Sequence, residues 1–159
     1  MNMRAEALAK RLEEGAGMLA TYAESMTPQQ WSAPVDQDGR TVGIVIHHVA
    51  TMYPLEMELA KTIANQQAIA GVTWDVVADI NAKHAHEHNT PDRMETVALL
   101  RKNSSSAANM ARTLSDAQLD IAVPNSLYGD TPLTLQFWLE DHPISHSYKH
   151  MANIKASLT

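Results

Sequence analysis

Apolar residues recur at helical spacing along most of this chain. Over 4–24, Leu8, Leu12, Leu19 and Tyr22 mark one stripe, with Ala5, Ala9, Ala16 and Ala23 filling in. Residues three and four apart share a helix face, so the pattern predicts an amphipathic helix. A second, longer pattern covers 41–70, with Ile44, Val45, His48, Met52, Leu55, Leu59 and Ile63 inward and Gly71 as the stop. Pro54 falls inside it and predicts a kink that leaves the Ala50 carbonyl without its usual donor. A third stripe, Met94, Val97, Leu100, Ala107 or Ala108, Ala111 and Leu114, follows Thr90-Pro91-Asp92. That tripeptide reads as N-cap, N1 proline and an acid at the positive end of the dipole. Thr131-Pro132 opens a last helix that runs to Leu158.

The connections carry short helical starts. Thr27, Pro28 and Gln30 fit N-cap, N1 and the reciprocal residue of a capping box, and Ser115 and Gln118 fit another. A shorter helix starts at Thr73 or Trp74 and ends near His88. Pro34, Asp36, Asp38 and Gly39 make 31–39 a loop, and 121–130 reads as a second loop. Runs of β-branched residues with period two are absent. Four long helices around one core predict an all-α, four-helix bundle with short extra helices in the connections, as a single domain over 1–159.

Composition narrows the partners. The 159 residues carry a net charge of −6, which argues against nucleic acid, whose binding rests on clustered Lys and Arg. No stretch approaches the roughly 20 apolar residues of a membrane span. The first eleven residues mix charges and lack the apolar segment of a secretory signal, so a cytoplasmic location is expected. There is no cysteine, which excludes disulfides, thiolate ligands and a cysteine nucleophile. Any metal site must use histidine and carboxylate.

Histidine supplies the candidate chemistry. His142, His146 and His150 stand four residues apart in the last helix. Side chains at that spacing lie on one face, about 5–6 Å apart at Cβ, so two imidazoles can reach one ion. His48 interrupts the apolar stripe of the second helix. A polar group there needs a partner, because leaving it unpaired costs roughly 1–3 kcal/mol. It is either a core histidine bonded to a carbonyl, such as the one Pro54 frees, or a metal ligand facing His146 and His150. Taken alone the core reading is favoured; taken with the last helix, the metal reading is. His47 is about 100° away around the helix, beside Thr51, Pro54 and Glu58. Three neutral imidazoles would leave open positions, the layout of a catalytic rather than a closed site. The ligand set suits Zn or Ni foremost, and Fe, Mn or Cu.

His142 lies about 12 Å along the axis from His150, and Pro143 disturbs the helix beside it, so it reads as pocket wall. Asp141 is the first candidate for general base or for orienting a ligand imidazole, ahead of Glu140, Glu56 and Glu58. His84, His86 and His88 sit in a polar segment and read as a solvated helix end. Tyr53, Trp138 and Tyr148 read as packing, and Ser104, Ser105 and Ser106 as helix surface or a tight helix contact.

The mid-chain His48-Val-Ala50 and the C-terminal His146 to Ile154 resemble the DinB/YfiT-like superfamily of metalloproteins, and the segment from Asn81 to Leu119 is similar to the family's connector and third helix. The resemblance covers nearly the whole chain. It implies a bundle with atypical, non-sequential topology and one divalent ion on His48, His146 and His150. It also implies a small-molecule substrate for a transferase or hydrolase, with a low-molecular-weight thiol such as mycothiol or bacillithiol as possible co-substrate, and a homodimer. The alternative is a non-catalytic metal-binding or stress-related helical protein. The chain departs from the family's commoner His-x-Gly-Gln ending, having Met151-Ala152-Asn153.

Overall fold

Helix α1 (Met3–Glu24) begins where the Asn2 side chain accepts the amide protons of Arg4 and Ala5, and its buried face runs from Ala5 and Leu8 to Leu19 and Ala23. The structure, a computed structural model, describes residues 2–159. The short α2 (Pro28–Ser32) forms with Thr27 and Gln30 closing the expected capping box. Helix α3 (Val42–Ala64) is capped by Thr41 and buried almost all round in its first half. Pro54 does free the Ala50 carbonyl, and Asn103 Nδ2 donates to it at 2.8 Å. That acceptor is therefore not the partner of His48.

Helix α3 ends six residues before the expected stop. Gln66 takes the left-handed conformation, φ 60°, while its N–H donates to Ile63 and that of Gln67 to Thr62. These are the two bonds of a Schellman motif, closed here by glutamine instead of glycine. Thr73 caps α4 (Trp74–Glu87), none of whose residues is buried. The next helix starts later than expected, because Asp92, not Thr90, caps α5 (Arg93–Arg112). The Pro91 carbonyl instead accepts from Trp31 Nε1 at 3.0 Å. Ser115 and Gln118 close the second capping box, on α6 (Asp116–Leu119). Two expected core residues are exposed: Met94 by 62% in the first turn of α5, and Leu55 by 41% at the mouth of a cavity.

The segment expected as loop and helix start is an antiparallel hairpin. Strand β1 (Ala122–Asn125) pairs with β2 (Thr131–Thr134), with Pro124 opposite Pro132, and left-handed Gly129 and Asp130 turn the chain between them. Ile69 pins the hairpin to the bundle by bonding Pro124 and Ser126. The last helix then starts at Leu135, not Thr131, as α7 (Leu135–Leu139). It widens into a π turn over Glu140–Ile144 and continues as α8 (Ser145–Ser157). Pro143 fits the π turn: it has no N–H for the Leu139 carbonyl, and the amide of Ser145 bonds Glu140 five residues back.

Helix α1 packs on α5 and α8, and α3 packs on the same two, so the consecutive long helices α1 and α3 stand on a diagonal. This is the non-sequential bundle that the resemblance implies. Tyr53 Oη and Ser147 Oγ, both buried, meet at 2.7 Å and join α3 to α8. No helix among the described residues is long and apolar enough to cross a membrane.

One small residue governs the seat of α2 on α3. A Cβ at Gly43 would stand 2.6 Å from the Trp31 ring, which its bond to Pro91 holds in place. Gly43→Ala gains about 1 kcal/mol of helix propensity but overpacks a buried contact at a cost of about 1–3 kcal/mol. A net loss of about 1 kcal/mol is expected as a lower urea midpoint; a higher midpoint would mean that the indole moves aside freely.

Candidate metal centre

His48 sits on the face of α3 turned toward α8, one turn before Met52 and two before Glu56. Both His48 and Glu56 are buried, at 4% and 5% exposure. Helix α8 presents His146 and His150 one turn apart. One ring nitrogen from each of His48, His146 and His150 lies within 4.8 Å of the others. His48 Nε2 and His146 Nε2 are 3.1 Å apart. Two nitrogens bound tetrahedrally at about 2.0–2.1 Å would be roughly 3.3 Å apart, so the pair is spaced as for a shared ion. The structure thus brings together the three residues that the sequence singled out.

Burial sets the charge of the cluster. It drives the His48 imidazole far below the usual histidine range, and the neighbouring His146 and Arg40 push further the same way. Burial takes His150 down to about 3, again with His146 and Arg40 adding to it. Both rings are neutral at pH 7, the form a metal requires.

Glu56, rather than Asp141, is the carboxylate beside a clustered imidazole. Its Oε1 lies 2.9 Å from His146 Nδ1, although the ring is turned so that the N–H is not aimed squarely at it. Trp138 Nε1 donates to the Glu56 carbonyl at 2.9 Å and fixes that stretch of α3. The sequence named Glu56 among four acids but ranked Asp141 first; the place of Glu56 two helical turns after His48, on the same face, is the signal that could have reversed that order.

Asp141 works elsewhere. It accepts from Tyr128 Oη, which also lies 3.0 Å from His142 Nε2, and its Oδ2 is 3.7 Å from that nitrogen. Burial raises the Asp141 carboxyl, but Tyr128, Lys149 and His142 outweigh it and leave the group below its ordinary range. His142 stacks on Trp138 with ring centroids 3.9 Å apart, and burial lowers its pKa. It lines the cavity onto which the cluster opens. Tyr128 was missed, because its position depends on the hairpin. Glu140 pairs with Arg11 and Glu58 with Lys61 on the surface. Ser104 is buried, its hydroxyl donating to the Arg101 carbonyl, while Ser105 and Ser106 are exposed.

The cluster opens on a cavity of about 240 Å³ between α3, α4, the hairpin and α8. Its wall is mostly apolar, with Met52, Leu59, Val77 and Trp138 prominent, and Arg40 and Lys149 bring positive charge. Six buried side-chain polar atoms lack a partner among the described residues: Arg40 Nη1, His48 Nδ1, Glu56 Oε2, Asn81 Oδ1, His84 Nδ1 and His146 Nδ1. All belong to the cavity wall or to the histidines around it. Natural proteins leave few such atoms, so their concentration here marks a place built for something other than packing.

The fold and the cluster define a class: a non-sequential helical bundle with imidazoles from two helices converging at a cavity. A family model described as the DinB superfamily matches residues 11–154, and the chain belongs to that superfamily. Among solved structures it is similar to YfiT from Bacillus subtilis, described as a probable metal-dependent hydrolase with an unusual four-helix bundle topology. The two share 22% identity and a TM-score of 0.77 over 98% of this chain and 87% of YfiT, which establishes the fold. No curated protein matches the sequence at a significant level.

Proposed function

We propose that the protein is a metal-dependent hydrolase of a small, largely apolar molecule, with His48, His146 and His150 as the ligands of one divalent ion. The observation that carries this reading is the convergence of three imidazoles beside unpartnered buried polar atoms in one cavity. The description of YfiT as a probable metal-dependent hydrolase points the same way. A divalent ion held there supplies Lewis acidity toward water and toward the carbonyl of a bound substrate.

The chain's own residues do the rest. Glu56 accepts from His146 Nδ1 once the ring turns toward it, which fixes the tautomer that leaves Nε2 free. The Tyr128 hydroxyl proton goes to Asp141, so His142 donates Nε2–H to Tyr128 and keeps Nδ1 as an acceptor. A neutral imidazole in that tautomer can take a proton at the cavity wall. Asp141 is then a positioning residue acting through Tyr128. Arg40, clamped to Asp38 by bonds of 2.6 and 2.8 Å, keeps Nη1 unpartnered for an anionic group of the substrate.

The test is hydrolysis of a panel of aryl esters and amides by Zn- and Ni-loaded protein, each neutral compound paired with its carboxylated analogue and run with and without a low-molecular-weight thiol. Turnover that needs metal, prefers the carboxylated analogues and falls about 10–100-fold in metal affinity with Glu56→Gln is expected. Turnover only in the presence of thiol would make the protein a thiol transferase. Metal binding with no turnover on any compound would favour a non-catalytic metal-binding protein.

A further inference from the structure

A second group of histidines stands outside the centre just described. His47 follows α3 about 100° around from His48, on the side facing α4. His47 Nδ1 and His84 Nε2 are 2.8 Å apart, and the rings of His47 and His88 are 4.4 Å apart between centroids. One ring nitrogen from each of His47, His84 and His88 lies within 4.8 Å of the others. His84 Nδ1 is buried without a partner. In the sequence His84, His86 and His88 read as a solvated helix end. The structure separates them: His86 is exposed and stands apart, while His84 and His88, four residues apart, turn together onto α3.

Beside this triad opens a cleft of about 450 Å³ lined by Glu87, Asp92 and Glu95 as well as His47 and His88. An acidic cleft draws cations from solution toward the imidazoles. The setting of α4 gives such an ion something to do. No residue of α4 is buried, and its Trp74 and Ile80 are 58% and 37% exposed. Yet Trp74, Val77, Ile80 and Asn81 form one wall of the first cavity. The wall is thus held to the bundle by little apolar burial.

We propose that His47, His84 and His88 hold a second divalent ion, of the imidazole-preferring kind (Zn, Ni or Cu), that fastens α4 to α3 and fixes the cavity wall. Such a ligand set is borderline-soft and disfavours Mg and Ca. His88 is exposed at the helix end and free to swing, so it closes the triad with little rearrangement. Helices joined only at a few contacts gain order when an ion binds ligands from both. The triad shares no ligand with the first centre, although the His84 ring stands edge-on to that of His48, with centroids 5.7 Å apart.

The experiment is elemental analysis after reconstitution with Zn or Ni and gel filtration, with hydrogen exchange over 74–87. Wild type and His86→Ala are expected to hold about two ions per chain, and His88→Ala and His146→Ala about one each. With free Zn at about ten times its dissociation constant, exchange in α4 should slow about ten-fold in wild type and in His146→Ala, but not in His88→Ala. Circular dichroism confirms that each variant is folded; His88 is exposed, so its loss spares the core. One ion per chain that is lost in His146→Ala and kept in His88→Ala would overturn the second site and leave the first standing. One ion lost in His88→Ala and kept in His146→Ala would sustain the second site and overturn the first.

Discussion

Replacing His48 by alanine is expected to lower divalent-metal affinity by more than about 100-fold, beyond the 10–100-fold that loss of an outer partner produces. His48 is the one member of its triad on α3. Without it, His146 and His150 remain as a single-helix pair, and the ion no longer joins α3 to α8. The measurement is Zn competition with a chromophoric chelator, in a His88→Ala background so that only one triad is present. The same background gives a second reading. A ligand at about 100 times its dissociation constant adds about 2.7 kcal/mol to the folded state, so chelator should lower the Tm of the parent and leave that of the His48→Ala variant unmoved. Equal affinity and equal chelator shifts in the two proteins would return His48 to the core.

Trp138→Ala is expected to cost about 3–5 kcal/mol of unfolding free energy, the range for removing a large buried aromatic. Trp138 is 2% exposed, donates to the Glu56 carbonyl and stacks on His142. Its loss would remove apolar burial, leave a void under the cavity and release His142 from its face. Urea unfolding checks the energy. Trp138→Phe keeps an aromatic ring but loses the bond to Glu56 and part of the ring volume, for which about 2 kcal/mol is expected, short of the alanine loss. A loss under 1 kcal/mol in the alanine variant would mean that the bundle collapses into the space.

What could be read from the sequence follows the range of the forces involved. The long helices were legible because periodic burial and capping are local; Thr27 with Gln30 and Ser115 with Gln118 cap as their spacing predicts. His48, His146 and His150 were legible because each breaks an apolar pattern or repeats at a helical interval. The hairpin was not. Each strand has four residues and contains a proline, which ordinarily argues against a strand, and the two prolines are tolerated because they face each other in an isolated ribbon. The end of α3 was misplaced because Gln66, rather than a glycine, adopts the left-handed conformation. Asn103 on the Ala50 carbonyl and Tyr128 between Asp141 and His142 depend on contacts across the fold, which periodicity does not carry. The pairing of His47 with His84 is of the same kind: the two residues are 37 positions apart in the chain, yet their ring nitrogens end 2.8 Å apart.

The π turn at Glu140–Ile144 bears on how such a protein can diverge. A π turn accommodates one residue more than an α turn, so it tolerates a difference in chain length. A residue gained or lost in a regular α-helix turns one flank by about 100° against the other, whereas a π turn takes up such a change within itself. Trp138 before the turn and His146 and His150 after it therefore keep their facing when the turn gains or loses a residue. A lineage could therefore re-cut the wall that Asp141 and His142 form by insertion or deletion alone, leaving the ligands of the ion untouched. Descendants of one ancestor could share those ligands and act on compounds of quite different shape.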